Sequence, residues 1–106
     1  MKDEIGDVLK SLRQRLERLY GVRLKGLYLF GSFARDDADE ESDIDVLIVL
    51  DRVSNYSAEI ADTSGIVSDL SLEFRQSISC VFASEEQWRN ENTMFFLNVR
   101  KEAVSA

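Results

Sequence analysis

The sequence contains no histidine and no proline, and only one cysteine, Cys80. Without histidine there is no Ser-His or Cys-His nucleophilic pair and no histidine-ligated zinc. A lone cysteine excludes an internal disulfide framework and fits a reducing cytoplasm. Any metal here is expected to be a hard, oxygen-bound ion such as magnesium. No apolar run approaches the ~20 residues that span a bilayer, so no membrane partner is expected. The opening "MKDEIGDVLKSL" is charged and amphipathic and lacks the apolar core of a secretory signal, so the expected location is cytoplasmic. Repeats, low-complexity tracts and proline-rich linkers are absent as well. The 106 residues are therefore expected to form one domain, 1–106, with a single core of two or three layers.

Basic charge is scarce too. Thirteen Lys and Arg face twenty Asp and Glu, a formal charge of -7, which argues against an extended, direct nucleic-acid surface. The acid is uneven: Asp36, Asp37, Asp39, Glu40, Glu41, Asp43 and Asp45 crowd into ten positions. The first five read as a solvated loop.

What is present is a clear alternation of elements. Ile5, Val8, Leu9, Leu12, Leu16 and Leu19, at spacings mostly of three and four, predict an amphipathic helix over 3–20, with Gly21 as its C-terminal cap. "LKGLYLF", 24–30, reads as a strand ended by Gly31-Ser32, and a short helical turn can open at Ser32. "IDVLIVL", 44–50, is nearly continuous in apolar and β-branched residues, the pattern of a central strand covered on both faces. A helix is predicted from about Ser57 to Phe74, with Ile60, Ser64, Val67 and Leu70 or Ser71 on one face. A third strand follows at 77–83. Ser84 and Gln87 form a capping box that opens a short helix through Trp88, and a last helix is predicted from Thr93 to about Ala103. The order α-β-β-α-β-α-α implies an α/β (α+β) fold, a small mixed β-sheet packed with helices.

The chemistry concentrates between Gly31 and Asp45. Strand side chains alternate, so Asp43 and Asp45 point to one face and Ile44 to the other, into the core. Two like charges side by side are destabilising unless a cation compensates them, and Mg2+ takes carboxylate and phosphate oxygens. Gly31 lets backbone approach a phosphate closely, Ser32 adds a hydroxyl and an amide, and Arg35 a charge-assisted contact. Taken singly, a Gly-Ser is usually a turn, an Asp-x-Asp a loop end and an arginine solvated. Together they describe a site for a metal–nucleoside triphosphate.

"GSFARDDADEESDID" resembles the signature of the DNA-polymerase-β-type nucleotidyltransferase superfamily: Gly-Ser, ten residues, then Asp-x-Asp, with an apolar strand on either side. The short length resembles the minimal nucleotidyltransferase (MNT) branch, as do the later strand, the "SEEQW" turn and the closing helix. The resemblance implies a nucleotidyltransferase fold with Asp43 and Asp45 as catalytic, Mg2+-binding residues. Gly31 and Ser32 would bind the triphosphate of ATP, assisted by Arg35. It further implies an antitoxin that transfers AMP from ATP to a tyrosine hydroxyl of a HEPN-domain ribonuclease toxin, with which it forms a hetero-oligomer. The superfamily usually carries a third carboxylate on the next strand; here that strand offers Ser77 and Ser79, and the nearest acid before it is Glu73. A catalytically degenerate protein that neutralises its partner by stoichiometric binding is therefore the alternative. Transfer to a small molecule is disfavoured by the lack of a second, acceptor-binding domain. In "TMFFLNV", Phe95 and Val99 are expected in the core and Phe96 at a partner contact. Trp88 and Cys80 are expected to be packing residues.

Overall fold

The computed structural model describes residues 2–106. Helix α1 (Lys2–Tyr20) is followed by a 3-10 turn, strand β1 (Leu24–Phe30), the one-turn helix α2 (Ser32–Arg35) and strand β2 (Ile44–Leu50). Then come α3 (Tyr56–Phe74), β3 (Ile78–Ser84), α4 (Glu85–Asn90), α5 (Met94–Glu102) and a short strand β4 (Val104–Ser105). The sheet order is β3-β2-β1-β4; β2 and β3 run parallel, the other pairs antiparallel.

The register follows from the apolar pattern. On β2 the even residues Ile44, Val46, Ile48 and Leu50 pack with Leu27 and Leu29 of β1 and Phe82 of β3 under α1 and α3. The odd residues Leu47 and Val49 pack with Ala83 of β3 under Phe96 and Val99 of α5. Both faces of β2 are thus covered, as a run that is apolar at every position but Asp45 requires. Helix α1 contributes Ile5, Val8, Leu12, Leu16 and Tyr20, all buried, and each of the four aliphatic side chains is worth about 1.5–3 kcal/mol when removed from water. Leu19, assigned to that stripe from its spacing, is 44% exposed.

Three further sequence expectations are corrected. The inner face of α3 is Glu59, Thr63 and Leu70, with Ile66 and Phe74 packed beside them, and Ile60 is 42% exposed. Hydropathy alone turns this helix by one position because its first two inward residues are polar. Both are satisfied: the Tyr20 hydroxyl donates to Glu59 Oε1 at 2.9 Å, Arg23 donates to Glu59 Oε2 at 3.1 Å, and Thr63 Oγ1 donates to the Glu59 carbonyl at 2.9 Å. Burial, reinforced by Glu59, pushes the Tyr20 phenol well above its ordinary pKa. Secondly, α5 buries Phe96 and Val99, while Phe95 is 40% exposed. Phe96, assigned to a partner contact, is core. Both phenylalanines are at helical spacing from Val99, and it is Phe96 that packs with it on Leu47 and Val49 of β2. Thirdly, the two-residue β4 follows α5 directly, pairing Val104 with Leu29 and Ser105 with Tyr28; a strand that short leaves no periodicity to read.

The junction of β3 and α4 is as the sequence predicts. Gln87 N–H donates to Ser84 Oγ at 3.1 Å and Ser84 N–H donates to Gln87 Oε1 at 2.9 Å. Ser84→Ala should cost about 1 kcal/mol, seen as a lower denaturation midpoint with an unchanged slope. Trp88 of α4 stacks on Tyr28 at 4.5 Å between centroids, under the Arg100 guanidinium, in the packing role expected of it. Cys80 is part-buried on β3, and burial pushes its thiol up to about 12, away from reactivity.

Candidate nucleotide and metal site

Strand β1 ends at Phe30, paired with Asp45 on β2, so Gly31 emerges beside the Asp45 carboxylate. Gly31 has φ 78° and ψ -157°, a conformation open essentially to glycine alone. It turns the chain into α2 and carries the backbone against Asp45: a Cβ at residue 31 would collide with Asp45 Oδ2 and lie 3.1 Å from its Cγ. The turn is held by the Arg35 N–H donating to the Gly31 carbonyl at 3.0 Å, and α2 closes on Asp36 in the left-handed region. Beyond it, Asp36, Asp37, Asp39, Glu40 and Glu41 are all exposed, as a solvated loop requires. Asp39 organises this loop by accepting from Glu41 N–H at 2.9 Å.

Gly31, Ser32, Arg35 and Asp45 line one hollow of about 380 Å³, with Phe30 as floor and Phe95, Asn98, Val99 and Glu102 of α5 as a wall. Asp43 stands exposed just before β2, outside that lining. Its charge still reaches Asp45. Burial, and next the Asp43 charge, push the Asp45 carboxyl above its ordinary value, and Glu102 adds to this while Arg35 opposes it. The structure therefore brings the five sequence-assigned residues to one end of the sheet. A larger hollow of about 440 Å³, lined by Ile5, Leu9, Leu29 and Phe33, lies on the α1 side; its walls are mostly apolar and it lacks convergent polar groups of this kind.

The two carboxylates are the observation that bears on a metal. A part-buried Asp45 held in the field of Asp43 is an arrangement that a divalent cation would stabilise, and both offer hard oxygen donors. Among the described residues, no three His, Cys, Asp or Glu side chains gather at one point, so phosphate and water oxygens would have to complete the coordination. Ser79 is paired with Asp45 across the β2–β3 ladder, so β3 sets a hydroxyl beside that carboxylate. Glu73 does not replace it: on α3 it meets Arg15 of α1 at 3.5 Å, on the other side of the sheet.

One residue of the hollow was not legible from the motif. Glu102 Oε2 accepts the Gly31 N–H at 2.5 Å, and Arg35 Nη1 lies 3.2 Å from Oε2 and 3.3 Å from Oε1. Arg35 Nε also meets Asp37 at 3.3 Å, and these two acids, Asp37 first, hold the guanidinium firmly protonated. The available signal was an acid in the last helical turn, where the helix dipole favours the neighbouring Arg100 and Lys101 instead.

Residues 9–101 match the model of the nucleotidyltransferase domain. The chain belongs to that family of transferases. It is 36% identical over 95 residues to "Putative protein adenylyltransferase MJ0604" of Methanocaldococcus jannaschii, covering 89% of each chain. It is 35% identical over 51 residues to "Protein adenylyltransferase MntA" of Thermococcus cleftensis, spanning 48% of this chain and about half (50%) of that one. Its fold is similar to that of a crystallised toxin–antitoxin protein with AMP-PNP, at a TM-score of 0.60 and 20% identity, covering 89% of this chain and 68% of that one. The nucleotidyltransferase fold expected from the sequence is therefore the observed one. Among the described residues, no helix is long and apolar enough to cross a membrane.

Proposed function

We propose that this chain is the antitoxin of a toxin–antitoxin pair and acts as a Mg2+-dependent protein adenylyltransferase. It would work as a single domain over 1–106, in the cytoplasm, bound to a HEPN-domain ribonuclease as a hetero-oligomer. The observation that carries this reading is the meeting of Gly31, Ser32, Arg35 and Asp45 at one hollow, with Asp43 in electrostatic reach. The adenylyltransferase names of its relatives and the toxin–antitoxin structure of similar fold support it.

In this reading the Gly31 amide, the Ser32 hydroxyl and the Arg35 guanidinium bind and orient the phosphates of ATP. Asp43 and Asp45 would hold magnesium, which supplies charge neutralisation on the phosphates when bound. A tyrosine hydroxyl of the toxin attacks the α-phosphorus. The new bond joins phenolic oxygen to phosphorus, the α-phosphorus bond to the bridging oxygen breaks, and pyrophosphate departs with that electron pair. The phenolic proton passes to solvent; a phenol with a pKa of ~10 needs less help from a base than an aliphatic alcohol does, which suits a β3 that offers Ser79 in place of an acid. Exposed Phe95, beside Met94 and Leu97, gives the acceptor segment an apolar surface at the edge of the hollow.

The test is intact-mass spectrometry of the toxin after incubation with the chain, ATP and Mg2+. The expected result is an adenylate-sized gain with the native chain and none with Asp43→Ala. The position of Ser79 favours a second reading, in which the chain silences its partner by stoichiometric contact alone. No mass gain, together with full neutralisation by Asp43→Ala, would establish it.

A further inference from the structure

We propose that Glu102 is a built-in occupant of the phosphate subsite, which the nucleotide must displace in order to bind. The proposal rests on the triphosphate reading of Gly31, Ser32 and Arg35 given above and deepens it.

A backbone amide and a guanidinium converging on two oxygens of one anion is the arrangement that receives a phosphate group. Here those donors are the Gly31 N–H and Arg35 Nη1, and the anion they hold is the Glu102 carboxylate. The contact spans 71 residues of chain at Gly31 and 67 at Arg35, so local helix geometry does not impose it. Nor does helix chemistry favour it, since an acid ends α5 where basic residues belong. The carboxylate is only 22% exposed and lines the same hollow as Asp45, whose proton affinity it helps to raise. Glu102 therefore gains its two donors at the cost of standing near a second acid.

Displacement needs a side-chain rotation and no backbone opening. The chain on either side of Glu102 is fixed: Ala103 N–H donates to the Val99 carbonyl at 2.8 Å, and Val104 and Ser105 are paired to β1. Arg35 keeps Asp37 through Nε during the exchange, so the guanidinium stays in place for the incoming anion. The device lets the Gly-Ser turn keep its donors satisfied before nucleotide arrives, and it weakens binding of any phosphate that cannot outcompete a carboxylate.

The experiment is calorimetric titration of the folded chain with Mg-ATP and, separately, with inorganic triphosphate. Native protein is compared with Glu102→Gln, Glu102→Asp, Arg35→Ala and the Arg35→Ala/Glu102→Gln double variant. Glu102→Gln should bind both probes about tenfold more tightly, the scale of one lost charge-assisted competitor. Glu102→Asp keeps the charge but is too short to reach Gly31, and should gain similarly. The gain should shrink in the Arg35→Ala background, because the two residues share one contact. Equal or weaker binding by Glu102→Gln would overturn the proposal and make Glu102 a support of the turn. A Glu102→Asp variant that binds like native protein would also overturn it, since charge alone would then explain the effect. If native protein and every Glu102 variant fail to bind either probe, the triphosphate reading falls and this proposal falls with it.

Discussion

Asp45→Asn should abolish nucleotidyl transfer, by about 10³-fold or more, and at the same time raise the melting temperature of the free chain. The two effects share a cause. Burial and the neighbouring Asp43 raise the Asp45 pKa in the folded state above its unfolded value of 3.8. The folded chain then binds the proton more tightly than the unfolded chain does, so ionisation of Asp45 lowers stability as pH rises through the folded pKa. Above the folded pKa the native protein bears the whole of that penalty, and Asn removes it. The stability difference between Asn variant and native chain should therefore be largest at neutral pH and should close as pH falls toward 3.8. Adding Mg2+ should reverse the order, because a cation bound only by the folded native chain stabilises it by mass action. Thermal melts of both proteins across pH, with and without Mg2+, check every part of this. A variant less stable than native protein at neutral pH without metal would mean that Asp45 is held by contacts rather than strained by charge.

Gly31→Ala should also remove activity, but with the opposite effect on stability. Residue 31 lies at φ 78° and ψ -157°, where a side chain costs about 1–3 kcal/mol of backbone strain. The added methyl would meet the Asp45 carboxylate, which cannot retreat easily because Asp45 sits within β2, paired to Phe30 on one side and Ser79 on the other. The expected outcome is a total loss of about 2–4 kcal/mol of stability and of at least about a hundredfold in transfer. Chemical denaturation and the same mass assay measure the two. Ser32→Ala keeps the backbone and should leave stability within about 0.5 kcal/mol. A Gly31→Ala protein of native stability would show that the turn accepts a side chain, and the close approach of backbone to Asp45 would lose its explanation.

The elements around the site were legible in the sequence because their signals are strong and local. The nearly continuous apolar "IDVLIVL" run marks a strand covered on both faces, and Leu47 and Ile48 indeed pack in opposite layers. Gly31, Ser32, Arg35 and Asp45 could be placed at one hollow because a strand-turn and a strand start fix them within fifteen residues. What escaped is what depends on distant chain. The inward face of α3 is carried by Glu59 and Thr63, whose burial makes sense only once Tyr20 and Arg23 are seen to reach Glu59. Phe95 and Phe96 are chemically identical neighbours, and only the crossing of α5 over Leu47 and Val49 decides which is buried. Glu102 lies 71 residues from Gly31, and nothing in the Gly-Ser or Asp-x-Asp pattern points to it.

The most direct test of the central claim, that the chain works by catalysis, is neutralisation of the proposed partner toxin's ribonuclease activity at limiting chain. The toxin should be in large molar excess, with ATP and Mg2+ present or withheld. Catalysis predicts complete silencing of the excess toxin over time, dependent on ATP and lost in Asp45→Asn. Silencing that stops at the stoichiometry of the complex, proceeds without ATP and survives Asp45→Asn would contradict it.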